Sequence, residues 1–236
     1  MKPEVQVFEP GYALPVVFGI VFLALVRTSQ DLAASDRTSY KRLQLCTLVG
    51  ALIGAKVSVL FGDLLWPIHP LEEFSVVWKI GRSITGGLLF GFLTAELLKP
   101  VFRYKLPPND RFAAALPFSI AIGRVGCLIV GCCRGIPWDG PWAIHYEDGV
   151  SRHPSAGYEL LFHLTAGALL VLLYRKRMLR GRLFAVYLMV YGAFRFVSEP
   201  LRVTPELAFS LSAYQFLAFA MVTCGVWSLV RRLPIE

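Results

Sequence analysis

Several features of secreted and soluble proteins are missing from this chain. Residues 1–10 hold one basic residue, Lys2, and no small-residue cleavage pattern follows the first apolar run. A cleavable signal peptide is therefore not expected. No internal repeat or low-complexity segment stands out, which argues against a solenoid or a disordered tail. Lys and Arg outnumber Asp and Glu by 24 to 16, a formal charge of +8. No aromatic-interleaved basic stripe accompanies that excess, which argues against a nucleic-acid partner. The five cysteines follow no standard zinc spacing. Nothing in the sequence calls for a cofactor or a metal.

Apolar sequence is what the chain has in abundance. Hydrophobic residues make up 56% of its 236 positions, and the mean hydropathy is +0.57. Soluble domains are about 45–50% apolar, so the excess points to a membrane protein. Seven candidate spans can be drawn over 11–27, 43–65, 84–98, 112–133, 155–174, 183–199 and 208–230. Basic residues cluster at 37–42, 99–111, 175–182 and 231–232. The alternate connections hold only Lys2, Lys79, Arg82, Arg134, Arg152 and Arg202. The positive-inside rule then predicts the N-terminus outside and the C-terminus in the cytoplasm, which requires an odd number of spans. The expected fold is one all-α integral membrane domain over 1–236, with outward-facing loops near 66–83 and 134–154. Trp66, Trp78, Trp138, Trp142 and Tyr146 lie in those loops, where an interfacial aromatic belt explains them.

Three cations fall inside the spans: Lys56, Arg124 and Arg195. A charge at the bilayer centre costs about 2.5–3.5 kcal/mol even on the lenient insertion scale, so such groups face a partner or a polar cavity. In "YGAFRFVSEPLR" (191–202), Tyr191, Arg195 and Glu199 recur every four residues with Arg202 near the same stripe. An Arg195–Glu199 pair is one explanation. Several cations sharing a cavity that holds a phospholipid phosphate is the other. Glu159 and His163 stand four apart at the start of the fifth span, and could pair for structure or for catalysis. His153 sits at the outer rim, where a general base acting on a lipid headgroup would have to be.

The stretch "GRVGCLIVGCCRG" (123–135) sets Arg124, Cys127 and Gly131 on one helical face, with Cys132 at its edge. Its glycines permit close approach by a backbone or a ligand. Cys46 and Cys224 lie singly in apolar runs and read as small buried hydrophobes. For Cys127, Cys132 and Cys133 four roles stay open: a nucleophile activated by Arg124 or Arg134, a redox group, a soft-metal site with His153 or His145, or close packing. On a helix the side chains of Cys132 and Cys133 diverge by about 100 degrees, which argues against a bond between them.

These segments resemble the prolipoprotein diacylglyceryl transferase family. Its signature G-R-x-G-N-F-x-N-G-E-x-x-G is similar to 123–135, and its R-H-P-S-Q-L-Y-E to "RHPSAGYE" (152–159). Its Y-G-x-F-R-x-x-x-E-x-x-R is similar to 191–202, and its S-F-H-G-G to "SITGG" (83–87). Lys56 stands where the family has a basic residue in its second span. The resemblance implies a seven-span enzyme of the bacterial inner membrane that uses phosphatidylglycerol or a similar anionic phospholipid. In such an enzyme, two arginines matching Arg124 and Arg195 hold the lipid phosphate. A diacylglyceryl group then passes to the thiol of a lipoprotein precursor and glycerol phosphate leaves. By position, the resemblance also implies substrate-binding roles for Lys56, Gly86, Gly87, Gly131, Tyr158, Glu159, Glu199 and Arg202.

Three departures fall close to the chemistry. The family's histidine before the paired glycines is Thr85, its signature asparagine is Cys127, and its signature glutamate is Cys132. Cys127, Cys132 and His153 are therefore the expected catalytic residues, in a relative that keeps the lipid donor and changes the acceptor or the step. The alternatives are a lipid-binding or lipid-translocating membrane protein without catalysis, and a thiol-redox membrane enzyme.

Overall fold

Apolar runs broken by proline, glycine and basic residues become seven α-helices among the described residues. The structure, a computed structural model, describes residues 10–26, 28, 32–64 and 81–231. The helices are α1 (Pro10–Leu25), α2 (Ala34–Val59), α3 (Ile84–Leu98), α4 (Asp110–Val130), α5 (Ser155–Arg175), α6 (Leu183–Ser198) and α7 (Ala213–Val230). Four stretches are long and apolar enough to cross a membrane: Asp36–Gly62, Asp110–Val130, Ser155–Arg175 and Ala213–Val230. Shorter apolar helices run over Leu14–Leu25 and Ile84–Leu98. Large apolar side chains such as Ile129, Leu161, Val197 and Phe219 stay exposed, as a lipid-facing surface requires.

Neighbouring helices pack in pairs, α2 on α3, α4 on α5 and α6 on α7, with α1 against α4. Small residues make those approaches close. A Cβ at Gly86 would collide with Ser58 and with the Gly54 carbonyl, and one at Gly54 with the Phe90 ring. The α6–α7 seam is built the same way, since a Cβ at Gly192 would stand 2.8 Å from the Ala218 carbonyl oxygen. Without a hydrophobic drive between helices in lipid, such close contact is what holds spans together. The buried cluster of Leu89, Phe92, Ala113, Leu183, Leu188 and Met221 lies between these pairs.

Side-chain caps fix the starts of two helices. Asn109 opens α4 by accepting from the Arg111 and Phe112 N–H groups. Ser212 and Gln215 form a capping box at the start of α7. Between α4 and α5, residues 131–154 fold into a polar cover. Its strands β1 (Ile144–His145) and β2 (Ser151–Arg152) pair antiparallel, with Ile144 opposite Arg152 and His145 opposite Ser151. Bridges join Pro137 to Arg152 and Gly135 to Arg202, which ties the cover to the chain beyond α6.

Some boundaries differ from the sequence reading. The fourth helix stops at Val130 because Gly131 turns left-handed (φ 69°), and its N–H and that of Cys132 both donate to the Cys127 carbonyl. Gly131 is therefore a cap and not part of a helical face, and Cys132 and Cys133 are not helical. Glu199 falls in a 3₁₀ turn (Glu199–Leu201) because Pro200 cannot continue α6. The last helix begins at Ala213, after a short hairpin of β3 (Glu206–Ala208) and β4 (Leu211–Ser212). Most of the loop expected near 66–83, including Trp66, Trp78 and Lys79, lies outside the described residues.

Candidate active site

The C-terminal ends of α4 and α6 and the first turns of α5 meet around one carboxylate, Glu159. From α4, Arg124 brings Nη2 to 2.5 Å of Glu159 Oε2. From α6, Arg195 places Nη1 3.0 Å from Oε1 and pairs through Nη2 with Glu199. Arg202, past the 3₁₀ turn, also donates to Oε1 at 3.0 Å. The Tyr191 hydroxyl donates to Oε2 at 3.2 Å. Arg124, Glu159, Arg195 and Glu199 are all buried. Removing such charges from water costs several kcal/mol each, repaid only by good mutual geometry. Three guanidiniums against two carboxylates leave the cluster one positive charge in excess.

The arrangement is not saturated. Arg124 Nε, Arg195 Nε and Ser198 Oγ are buried without a hydrogen-bond partner, a rarity that calls for an explanation at each atom. Ser198 and Arg195 line a narrow recess with Ser155, Tyr158, Glu159 and Arg202. Two of these unpartnered donors, Arg195 Nε and Ser198 Oγ, belong to residues that line the recess.

The other terminal nitrogen of Arg124 faces sulfur. Its Nη1 lies 3.6 Å from Cys127 Sγ and 3.4 Å from Cys133 Sγ, and the two sulfurs are 3.9 Å apart. Cys132 joins them, all three sulfurs lying within 4.8 Å of one another. The expected divergence of Cys132 and Cys133 assumed a helix that has already ended. None of the five cysteines forms a disulfide.

Tyr158 lines the recess, and His153 stands against Tyr158. The His153 ring stacks on Trp138 at 4.3 Å between centroids, and its Nδ1 lies 3.1 Å from the Tyr158 hydroxyl. Lys56, Gly86 and Gly87 belong to another part of the molecule, the α2–α3 pair. Gly87 lies against Ala51 and Ala55, and Lys56 is half-buried on α2 within reach of the Arg82 charge. His163, set out above as a partner of Glu159, has its Nδ1 at 3.1 Å from the Tyr187 hydroxyl instead.

The cover over the site carries its own charges. Asp148 accepts from the Val150 N–H at 3.0 Å and pairs with Arg152 at 2.9 Å and Arg134 at 3.4 Å. The Val150 N–H first, and then Arg152, hold its carboxyl below the usual carboxylate range. Arg134 also stacks over the Tyr146 ring at 4.9 Å, and burial pushes that phenol up. Sequence reasoning read Trp138 only as part of an interfacial belt, whereas the structure sets it against His153. Tyr191 was visible in the four-residue stripe, but nothing marked it as a donor to Glu159.

Comparison with known proteins adds an independent finding. The sequence pattern of the family described as "Prolipoprotein diacylglyceryl transferase" matches residues 6–231. The phosphatidylglycerol–prolipoprotein diacylglyceryl transferase of Bordetella bronchiseptica is 36% identical over 197 residues, covering 76% of this chain and 72% of that protein. The enzyme of the same name from Rhodospirillum centenum is 36% identical over 203 residues, 78% of this chain and 72% of its own. That of Polaromonas naphthalenivorans is 30% identical over 240 residues, 92% and 88%.

Proposed function

The chain belongs to the prolipoprotein diacylglyceryl transferase family, and from that premise we propose that it is a phosphatidylglycerol-dependent transferase of the bacterial inner membrane. It is a single domain over 1–236 that crosses the bilayer seven times, N-terminus outside and C-terminus in the cytoplasm. The loops near 66–83 and 134–154 face outward, and the cover over Glu159 therefore sits at the outer leaflet.

The observation that carries the chemistry is the convergence of Arg124, Arg195 and Arg202 on Glu159 beside an open recess. Glu159 and Glu199 hold the guanidiniums in place, and the surplus positive charge and unpartnered donors suit a lipid phosphate. An acceptor thiolate attacks the diacylglyceryl carbon bound to the phosphate oxygen. The new C–S bond forms as that C–O bond breaks, and the electron pair leaves on glycerol phosphate. Arg124 and Arg195 stabilise the charge that develops there. Tyr158 and the Gly131 turn border the headgroup, and Lys56, Gly86 and Gly87 act at a distance through the α2–α3 pair. His153, steadied by Trp138 and Tyr158, is the base that accepts the thiol proton. Cys127 and Cys132 replace the family's asparagine and glutamate beside the phosphate.

Incubation with labelled phosphatidylglycerol and a peptide bearing a lipoprotein-type cysteine tests the reading. Released glycerol phosphate and a lipidated peptide support it. Retention of the lipid without turnover supports instead a lipid-binding protein, a reading favoured by Thr85 where the family has histidine.

A further inference from the structure

The three sulfurs of Cys127, Cys132 and Cys133 form a triangle to which the proposed transfer, with its nucleophile on the acceptor, gives no covalent step. An alkyl thioether is a poor leaving group, so a diacylglyceryl chain placed on one of these thiols would stay there. Their spacing has another reading. Metal–thiolate bonds of about 2.3 Å set in a plane separate the sulfurs by about 4 Å. Cys127 and Cys133 stand 3.9 Å apart, and all three sulfurs fall within 4.8 Å. A disulfide needs sulfurs at about 2.05 Å, far closer than these lie.

The backbone works to make this triangle. Gly131 ends α4 in a left-handed turn, and Cys133 itself has φ 58°. A positive φ is costly for a residue with a side chain and tends to mark functional sites. It folds residues 132–133 back over the last turn of α4, where Cys127 is only 1% exposed. The surroundings are those of an anionic complex. Arg124 Nη1 reaches two of the sulfurs at 3.6 and 3.4 Å. Donors of this kind, placed just outside the ligands, orient thiolates and steady their charge. The histidines set out above as further ligands are engaged elsewhere, His153 with Tyr158 and His145 with Ser151. The group among the described residues holds three soft ligands, which suit copper(I) better than zinc with its closed set of four.

We propose that Cys127, Cys132 and Cys133 form a three-thiolate site for one copper(I) ion, with Arg124 hydrogen-bonded to its sulfurs. Binding releases the thiol protons to solvent, and no change of oxidation state is involved. The ion and the lipid phosphate then share one guanidinium.

Copper(I) is titrated anaerobically into the full-length chain in detergent, against a chromogenic copper(I) chelator. One equivalent per chain is expected to resist the chelator. Cys132→Ser should weaken retention by at least about tenfold, whereas Cys46→Ser and Cys224→Ser should retain copper as the native chain does. Because a cysteine variant can lose its fold, alkylation of the native chain with N-ethylmaleimide gives a second readout. Copper(I) should protect the half-buried Cys132 and Cys133 together and leave Cys46 and Cys224 reactive. Failure to retain one equivalent, equal retention by a variant lacking all three thiols, or a Cys127–Cys133 disulfide that binds no copper after reduction would each overturn the site. Transferase turnover enters none of these readouts, so the lipid reading can fail while the copper site stands.

Discussion

The Arg124 guanidinium and the Glu159 carboxylate meet at 2.5 Å across the α4–α5 interface, both buried. That pair joins two neighbourhoods, because the other terminal nitrogen of Arg124 faces Cys127 and Cys133. Glu159 in turn accepts from Arg195, Arg202 and Tyr191. One arginine and one glutamate thus connect the anion recess to the thiol triangle.

Glu159→Gln should be the most damaging single change in the cluster. It leaves three guanidiniums facing one another with only Glu199 to offset them. Breaking a buried ion pair by removing one partner costs about 3–5 kcal/mol. Thermal unfolding in detergent should shift sharply downward and transferase activity should vanish. Native-like melting of Glu159→Gln would show that the carboxylate does not organise the site.

Arg124→Lys and Arg195→Lys keep the charge but lose the planar fork. Each guanidinium makes contacts in two directions, which a single ammonium cannot reproduce. Losing one charge-assisted hydrogen bond is worth about 1.5–3 kcal/mol, so kcat/KM for phosphatidylglycerol should fall by about 10–100-fold. Arg202→Lys, at the edge of the recess, should fall less. Equal activity across all three variants would remove the phosphate-cradle role.

Cys127 separates a steric from a chemical contribution. Cys127→Ala should abolish transfer, because it empties a buried position beside Arg124, whereas Cys46→Ala should not. Cys127→Ser keeps size and hydrogen bonding and loses thiolate nucleophilicity. Full transfer by Cys127→Ser would assign the residue a positional role only.

The hairpin over the site should loosen in acid. The Asp148 carboxyl is held below its ordinary range in the folded chain. Its contribution is therefore complete above the unfolded aspartate value and is lost as pH falls through the lower folded value. Protection factors for amide exchange at Tyr146 and Val150, which this turn protects, should fall on acidification in that window. In Asp148→Asn the protection factors should be lower throughout and indifferent to pH there. A pH-dependent profile in that variant would assign the titration to another group.

Topology follows from charge and can be read with reporters. Fusions active on the outer side should work at the N-terminus and fail at the C-terminus, with the reverse for cytoplasmic reporters. Both termini on one side would reject seven spans.

Much of the architecture was readable from hydropathy alone. Each of the seven apolar runs corresponds to a helix, with ends shifted where a local signal intervened. The Arg195–Glu199 pair was readable too, because residues four apart on a helix must be neighbours. The termination at Gly131 escaped that reasoning, since glycine in an apolar helix is as often a packing residue as a cap. It alone decided that Cys132 and Cys133 turn back toward Cys127. The role of Glu159 as shared acceptor could not come from spacing either. Its partners lie on α4, on α6 and past the 3₁₀ turn, and only the packing of those helices brings them to one carboxylate. Periodicity determines what shares a helix face, because that geometry repeats along the chain. Which faces meet is decided by close packing of small residues between helices, and that is a property of the folded whole.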